Sequence, residues 1–369
     1  MYHVKPSACP DTLFRGSCTC NSPTAVGFEA AQVLFNQLQT GEISLEDSFE
    51  NTRKRLADLF KLPKGSGIFL TPSGSDAEYI PLLITKLLNP GKEIRNLVTC
   101  KDEVGAGTLN GANGKYFSSV DPIEGFTDSP KKYGDDLNQV ADGVEIWTVQ
   151  AREPNGDEAD NLPPMNEMML DCNENGRVPI VHTVYGSKTG ITEKFPENFV
   201  DKINEMGGMV VMDACQGRFD LEIIHNAIEK QACVLFTGSK FFRGPPFSGA
   251  VFVPSKTMEK LQQIDLGLPE SMNTFVGQNE IPAELSSMRE SLQPSSNVGL
   301  ALRWEAALAE IEPTMEIEEE ERASLTDMWR ENVVEMIQQK AHLDYFSSAS
   351  DTPSIVSVRV KNPHESKTG

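Results

Sequence analysis

Hydrophobic and polar positions alternate along this chain in a simple way, with short apolar runs separated by longer amphipathic stretches. Apolar runs at 68–71, 96–100, 144–149, 178–185, 208–212, 232–236 and 248–253 each give way to polar or Gly-rich residues. Runs of this length suit strands covered on both faces, as in a parallel sheet. Helical patterns separate most of them, for example at 77–88, 195–206 and 221–230. That alternation predicts right-handed βαβ crossovers and a mostly parallel sheet of seven strands. The link from 232–236 to 248–253 is too short for a helical crossover, so the last strand is expected to run antiparallel.

Outside this region the pattern is helical. One helix runs through Ala31, Val33, Leu34 and Leu38, and a second extends from a Ser44 cap to about residue 62. Beyond Pro254, helices are predicted at 297–311 and 323–341, with a solvated acidic run at 316–321 between them. Residues 354–360 alternate as a half-buried strand. The expected organisation is an α/β chain: an arm and helix at 1–45, a large domain at 46–290, and the start of a small C-terminal α+β domain at 291–369. Because that small domain has one predicted strand, the natural protein is expected to continue beyond Gly369.

Composition narrows the partners. With 39% hydrophobic and 24% charged residues, the 369-residue chain can bury a large core. A net charge of −21 argues against unaided binding to nucleic acid or an anionic membrane. No apolar run is long enough to span a bilayer, and the first ten residues lack a signal-peptide core, so a cytoplasmic location is expected. The seven scattered cysteines read as reduced thiols. Cys18 and Cys20 have no second pair at zinc spacing, so no metal is expected.

Chemistry concentrates at the strand ends. The run at 208–212 delivers Asp213 and Gln216, and the run at 232–236 delivers Thr237, Ser239 and Lys240. In a parallel sheet, ligands bind beyond the carboxyl ends of the strands. A desolvated Lys forms a Schiff base with a carbonyl, and an Asp beside an aromatic nitrogen keeps that nitrogen protonated. Pyridoxal 5'-phosphate (PLP) needs both. Further upstream, the run at 68–71 opens into Pro-Ser-Gly-Ser-Asp before a helix. A small-residue turn at a helix start offers free N–H groups to an anion, which nominates Gly74, Ser75 and Asp76.

The DACQ of 213–216, the TGSK of 237–240 and the Pro-Pro-x-Ser-Gly strand that follows resemble fold type I PLP-dependent enzymes, and among them the class V aminotransferase and cysteine desulfurase group. The resemblance implies that Lys240 carries PLP and moves the Cα proton of an amino-acid or amine substrate, while Asp213 holds the ring nitrogen. Gln216 and Ser187 would meet the phenolic oxygen, with Thr237, Ser239, Gly74 and Ser75 around the phosphate. It also implies a homodimer in which part of 273–297, containing Ser295 and Ser296, reaches the neighbour's phosphate. The arm at 15–21 would run over the site mouth. An aminotransferase is the reading favoured by Ser239, which stands where decarboxylases and desulfurases often carry His. The alternatives are a lyase or desulfurase, although no Cys follows Cys233, and a catalytically silent PLP-fold binding protein.

Several positions depart from the family pattern. Asp76 stands where relatives often carry Thr, and a carboxylate cannot point at a phosphate; it is expected to cap the helix or turn away. No aromatic residue or His occupies the ring-stacking place, leaving Val104 or Thr108. Lys188 is the second candidate for the Schiff base, and His182 is expected to be a core residue. Arg218 and Arg243 are the nearest candidates for a carboxylate or phosphate contact. Arg359, between Val358 and Val360, should face away from the apolar side of its strand, so amino-acid carboxylates should be gripped poorly.

Overall fold

The computed structural model describes residues 4–5, 7–8, 19–120, 122–123, 132–193, 198–218, 221–294, 296–346 and 352–361. Its centre is a sheet built from β1 (Gly67–Thr71), β2 (Ile94–Val98), β3 (Val144–Thr148), β4 (Val178–Val184), β5 (Met209–Asp213), β6 (Cys233–Thr237) and β7 (Gly249–Val253). Their spatial order is β1-β7-β6-β5-β4-β2-β3. All pairs are parallel except those of β7, which runs antiparallel to both β1 and β6. Every residue of β1, β2, β4, β6 and β7 is buried, as continuous apolar runs require. Because β1 and β6 both oppose β7, they point the same way. The carboxyl ends of β1, β4, β5 and β6 therefore share one edge of the sheet.

The helices are α1 (Ala25–Thr40), α2 (Leu45–Leu59), α3 (Gly74–Ala77), α4 (Tyr79–Leu88), α5 (Thr108–Ala112), α6 (Leu162–Asn175), α7 (Phe199–Glu205), α8 (Leu221–Glu229), α9 (Ser255–Gln262), α10 (Ser286–Glu290), α11 (Val298–Glu316) and α12 (Glu319–Gln338). Thr24 and Ser44 cap α1 and α2 by accepting from the backbone N–H groups of Gly27 and Asp47. On one face of the sheet, Phe60 after α2, Phe236 of β6, Phe252 of β7 and Trp304 of α11 are fully buried together. Ring centroids lie 5.0 Å apart for Phe60–Phe236 and 5.1 Å for Phe60–Phe252. Each such side chain contributes roughly 1.5–3 kcal/mol by burial, so β6 is anchored from behind, just ahead of Lys240.

Several boundaries differ from the sequence reading. The predicted strand at 96–100 begins at Ile94, and Asp213 and Thr237 are the last residues of their strands rather than the first beyond them. The predicted helix at 77–88 is α4 from Tyr79 on, and a short α3 precedes it, with Glu78 between the two. The acidic run at 316–321 straddles the end of α11 and the start of α12, because Glu residues in a first turn complement the positive helix end. At the C-terminal end, β8 (Leu343–Phe346) pairs antiparallel with β9 (Ser357–Val360), where the sequence predicted one strand. Val358, Arg359 and Val360 are all exposed, so the alternation around Arg359 does not produce a buried side. Among the described residues no helix is long and apolar enough to cross a membrane.

Candidate active site

The sheet edge brings the predicted residues into one neighbourhood. Thr71 and Thr237 are both register partners of Gly249. A Cβ on Gly249 would lie 2.5 Å from the backbone oxygen of Ser73, so glycine there lets the turn after β1 cross directly over β7. Ser73 caps α3: its Oγ accepts from the backbone N–H of Asp76 at 3.2 Å and donates to Oδ2 of Asp76 at 2.5 Å. The Asp76 carboxylate is thereby tied back to the start of its own helix. Burial pushes its pKa up to about 7, and Oδ1 has no hydrogen-bond partner.

Gly74 is the pivot. A Cβ there would lie 2.9 Å from Sγ of Cys215 and 3.0 Å from Cγ2 of Thr237. The turn after β1 thus rests on the residues that follow β5 and end β6. A Cβ on Gly107 would lie 2.7 Å from Oγ of Ser75, and one on Gly111 2.8 Å from the Ser75 backbone oxygen. The strip of small residues around α5 allows that segment to close over the same turn.

Asp213, half-buried, accepts from the backbone N–H of Cys215 at 3.0 Å. Thr237, buried, donates to the backbone oxygen of Cys215 at 2.8 Å. Burial pushes the Cys215 thiol well above its usual pKa; the charge of Asp213 raises it further, and that of Lys240 opposes. Both charges therefore act on one buried sulfur. Gln216 is buried and its Oε1 has no partner. Asn21 Nδ2 donates to the backbone oxygens of Ser239 and Lys240, each at 3.3 Å, and the hydroxyls of Thr19 and Ser239 are 3.3 Å apart. Of the arm predicted to cross the mouth, residues 15–18 lie outside the described residues, as does Ser295.

Ser187 is buried beside Gly186, where a Cβ would lie 3.8 Å from Cβ of Gln216. Its hydroxyl donates to Oε2 of Glu103, which also accepts from Thr189 Oγ1 at 2.6 Å and Thr189 N at 3.1 Å. Arg152 holds the other oxygen of Glu103 at 3.1 Å. Burial pushes Glu103 up, yet these hydrogen bonds and the Arg152 charge outweigh it and leave its pKa below the usual value. Lys188 is exposed. His182, buried in β4, has Nδ1 3.1 Å from Oε2 of the buried Glu78. Burial raises Glu78, the charge of His182 opposes this, and that of Asp213 adds to it.

Val104 and Thr108, the candidates for a ring face, are both buried. Arg218 is largely buried and pushed down to about 10 by burial; it donates to the Ser354 backbone oxygen at 3.1 Å, and its guanidinium lies 5.1 Å from the Phe241 ring. Arg243 is exposed with φ 59°. Sequence reading missed Glu103 and Glu78, which act through their position in space and have no local motif, whereas Asn21 ends the arm that was expected to cross the mouth. A separate cavity of about 560 Å3, between α1, α11 and the Pro-Pro turn, includes none of the strand-end residues. Among the described residues no group of His, Cys, Asp or Glu is placed to hold a metal ion.

No family model and no curated protein matches the sequence. Solved structures do match. An alanine–glyoxylate aminotransferase from Nostoc sp. superposes with a TM-score of 0.58 at 12% identity, over 98% of this chain and 83% of its own. A ureidoglycine–glyoxylate aminotransferase from Bacillus subtilis gives 0.56 at 12% identity, over 95% and 79%. A cysteine desulfurase from Thermococcus onnurineus NA1 gives 0.52 at 16%, over 94% and 79%. The fold is that of the fold type I PLP-dependent transferases. Two aminotransferases and a cysteine desulfurase are among the structures that share it, and β7 is the reversed strand of this chain's seven-stranded sheet.

Proposed function

We propose that this chain is a PLP-dependent enzyme acting at the Cα of an amino-acid or amine substrate, and that its reaction is transamination. The observation that carries the reading is Gly74 packed against Cys215 and Thr237. Through it the anion-binding turn, the acid-bearing end of β5 and the lysine-bearing end of β6 form one site. The residues suit the cofactor. The buried Oε1 of Gln216 lacks a partner, and the glycines at 74 and 107 keep the turn clear of Cβ atoms.

In this reading Gly74, Ser75 and Ser239 would hold the phosphate, Gln216 the phenolic oxygen through its amide N–H, Asp213 the ring nitrogen and Lys240 the carbonyl carbon. Thr237 and Ser187, whose hydroxyl protons go to the Cys215 backbone oxygen and to Glu103, would reach the phosphate and the phenolic oxygen by turning those hydroxyls. Asp76 belongs to this set through Ser73, by fixing the start of α3. Once bound, PLP supplies an electron sink for charge developing at the substrate carbon. Lys240 moves the proton at Cα, a general-base role that requires its neutral amine. Asp213 is held in place by the Cys215 N–H, and Ser187 by Glu103. Thr19 and Asn21 cover the backbone around Ser239 and Lys240 and limit the access of water.

Transamination is favoured over sulfur transfer by Ser239, which stands where desulfurases often carry His. Cys215 adjoins the site, but burial holds it in the neutral, weakly nucleophilic form. The active unit is proposed to be a homodimer of cytoplasmic protein. The test is to incubate the purified chain with PLP, reduce it with borohydride and map the labelled peptide. Pyridoxyl on the TGSKFFR peptide is expected; a label on Lys188, or none on any lysine, refutes the assignment.

A further inference from the structure

The cavity of about 560 Å3 is independent of the strand-end site and has its own construction. Phe28, Ala31, Gln32 and Phe35 recur at helical spacing along one face of α1 and form one wall. Leu302, Arg303 and Ala306 of α11 form the facing wall, and Pro245, Pro246 and Phe247 close the end. The two helices meet tightly at the base, since a Cβ on Gly27 would lie 2.8 Å from the backbone oxygen of Ala306. Above that contact they leave the cleft open, with Phe28 and Phe35 still 39% and 37% exposed. The volume falls in the range of small-molecule sites, and such sites are mostly apolar with a few placed polar groups.

The charged residues that line it are Arg303 and Lys5, both cationic, in a chain whose net charge is −21. Neither forms an ion pair among the described residues. Arg303 donates Nε to the Phe247 backbone oxygen at 2.8 Å, and its guanidinium lies 5.8 Å from the Phe247 ring. Burial alone acts on its titration and pushes it down to about 10, with no carboxylate opposing. Its Nε is taken by Phe247, and no carboxylate among the described residues pairs with the rest of the guanidinium. Phe247 has φ 74°, a left-handed conformation that an aromatic residue adopts only when its surroundings impose it, and Arg303 is what grips it.

We propose that this cleft binds a small apolar monocarboxylate. Its carboxylate would pair with Arg303, a planar fork suited to that group, with Lys5 as a second cation. Its hydrocarbon or aromatic body would lie between Phe28, Phe35 and Phe247. An uncharged ligand would leave Arg303 unpaired, and a cationic one would be repelled.

The test uses calorimetric titration of the full chain with octanoate, octanol and octylamine. Octanoate is expected to bind at one site at least about tenfold more tightly than octanol, with no binding of octylamine. Arg303→Gln should bring octanoate to the level of octanol. Ala31→Trp, which fills the cleft and leaves the arginine in place, should weaken both. The inference is overturned by an absence of saturable octanoate binding, by octanol binding as tightly as octanoate, or by octanoate affinity unchanged in both variants. Circular dichroism of each variant separates lost binding from lost fold. Blockage of the cleft by a second copy of the chain counts as absence and overturns it too.

Discussion

Asp76 shows how a single residue can be both out of pattern and in place. Its burial holds the carboxyl pKa near 7, above the ordinary value of 3.8. A raised folded-state pKa means the folded protein binds the proton more tightly than the unfolded chain. The associated stability is complete below about pH 4 and is lost as pH rises through about 7. Asp76→Asn removes that ionisation while keeping the shape and a side-chain oxygen. Urea midpoints of the two proteins should therefore converge at pH 4, with the variant more stable by roughly 1–3 kcal/mol at pH 8. A constant difference across the range would contradict this account. At this scale the sequence was legible where spacing sets position, as with the turn at Gly74, Asp213 at the end of β5 and the end of β6 before Lys240. It was silent where chemistry comes from packing. The partners Glu103–Ser187 and Glu78–His182 are 84 and 104 residues apart, and nothing local announces them.

Among the elements, the strands were legible because apolar runs this short, bounded by turn residues, have few other uses in a chain of this composition. Their ends were read one or two residues out, since Asp213 and Thr237 continue the ladder despite their polarity. The short α3 escaped notice because Ser73, not an apolar period, starts it. β8 escaped because Leu343–Phe346 is too short to show alternation apart from its partner. The junction of β1, β5 and β6 should be intolerant of volume. Gly74→Ala would press a methyl against Cys215 and Thr237. About 1–3 kcal/mol of stability should be lost from overpacking, and PLP affinity should drop about tenfold or more. Spectrophotometric titration with PLP checks the second figure; affinity within a factor of about two of the parent would show that the turn does not hold the phosphate.

At the scale of the whole molecule, charge and shape pull in different directions. A net charge of −21 keeps copies of the chain apart in dilute salt, yet the proposed site draws on a second copy. Sedimentation in the presence of PLP should show a dimer that is firmer in about 0.15 M salt, where repulsion is screened beyond about 8 Å, than at low ionic strength. A monomer that takes up PLP in full contradicts the dimeric unit. The sheet itself was foreseeable from alternation and one short link; the two-stranded unit of β8 and β9 was not, because its pairing rests on few residues.

The reversed strand also sets an order of events during synthesis. β1 pairs in the sheet with β7 alone, and the residues that pair, Gly67 with Val253 and Thr71 with Gly249, are separated by most of the large sheet. On the ribosome, β1 emerges long before its one partner exists. Loop closure over that span must wait, and folds dominated by such distant pairings form slowly. Until Val253 has left the exit tunnel, the edge of β6 is bare and the turn at Ser73 has nothing beneath it. The candidate site at this sheet edge is therefore a late product of translation, and a nascent chain is most exposed to strand-edge aggregation just before β7 arrives.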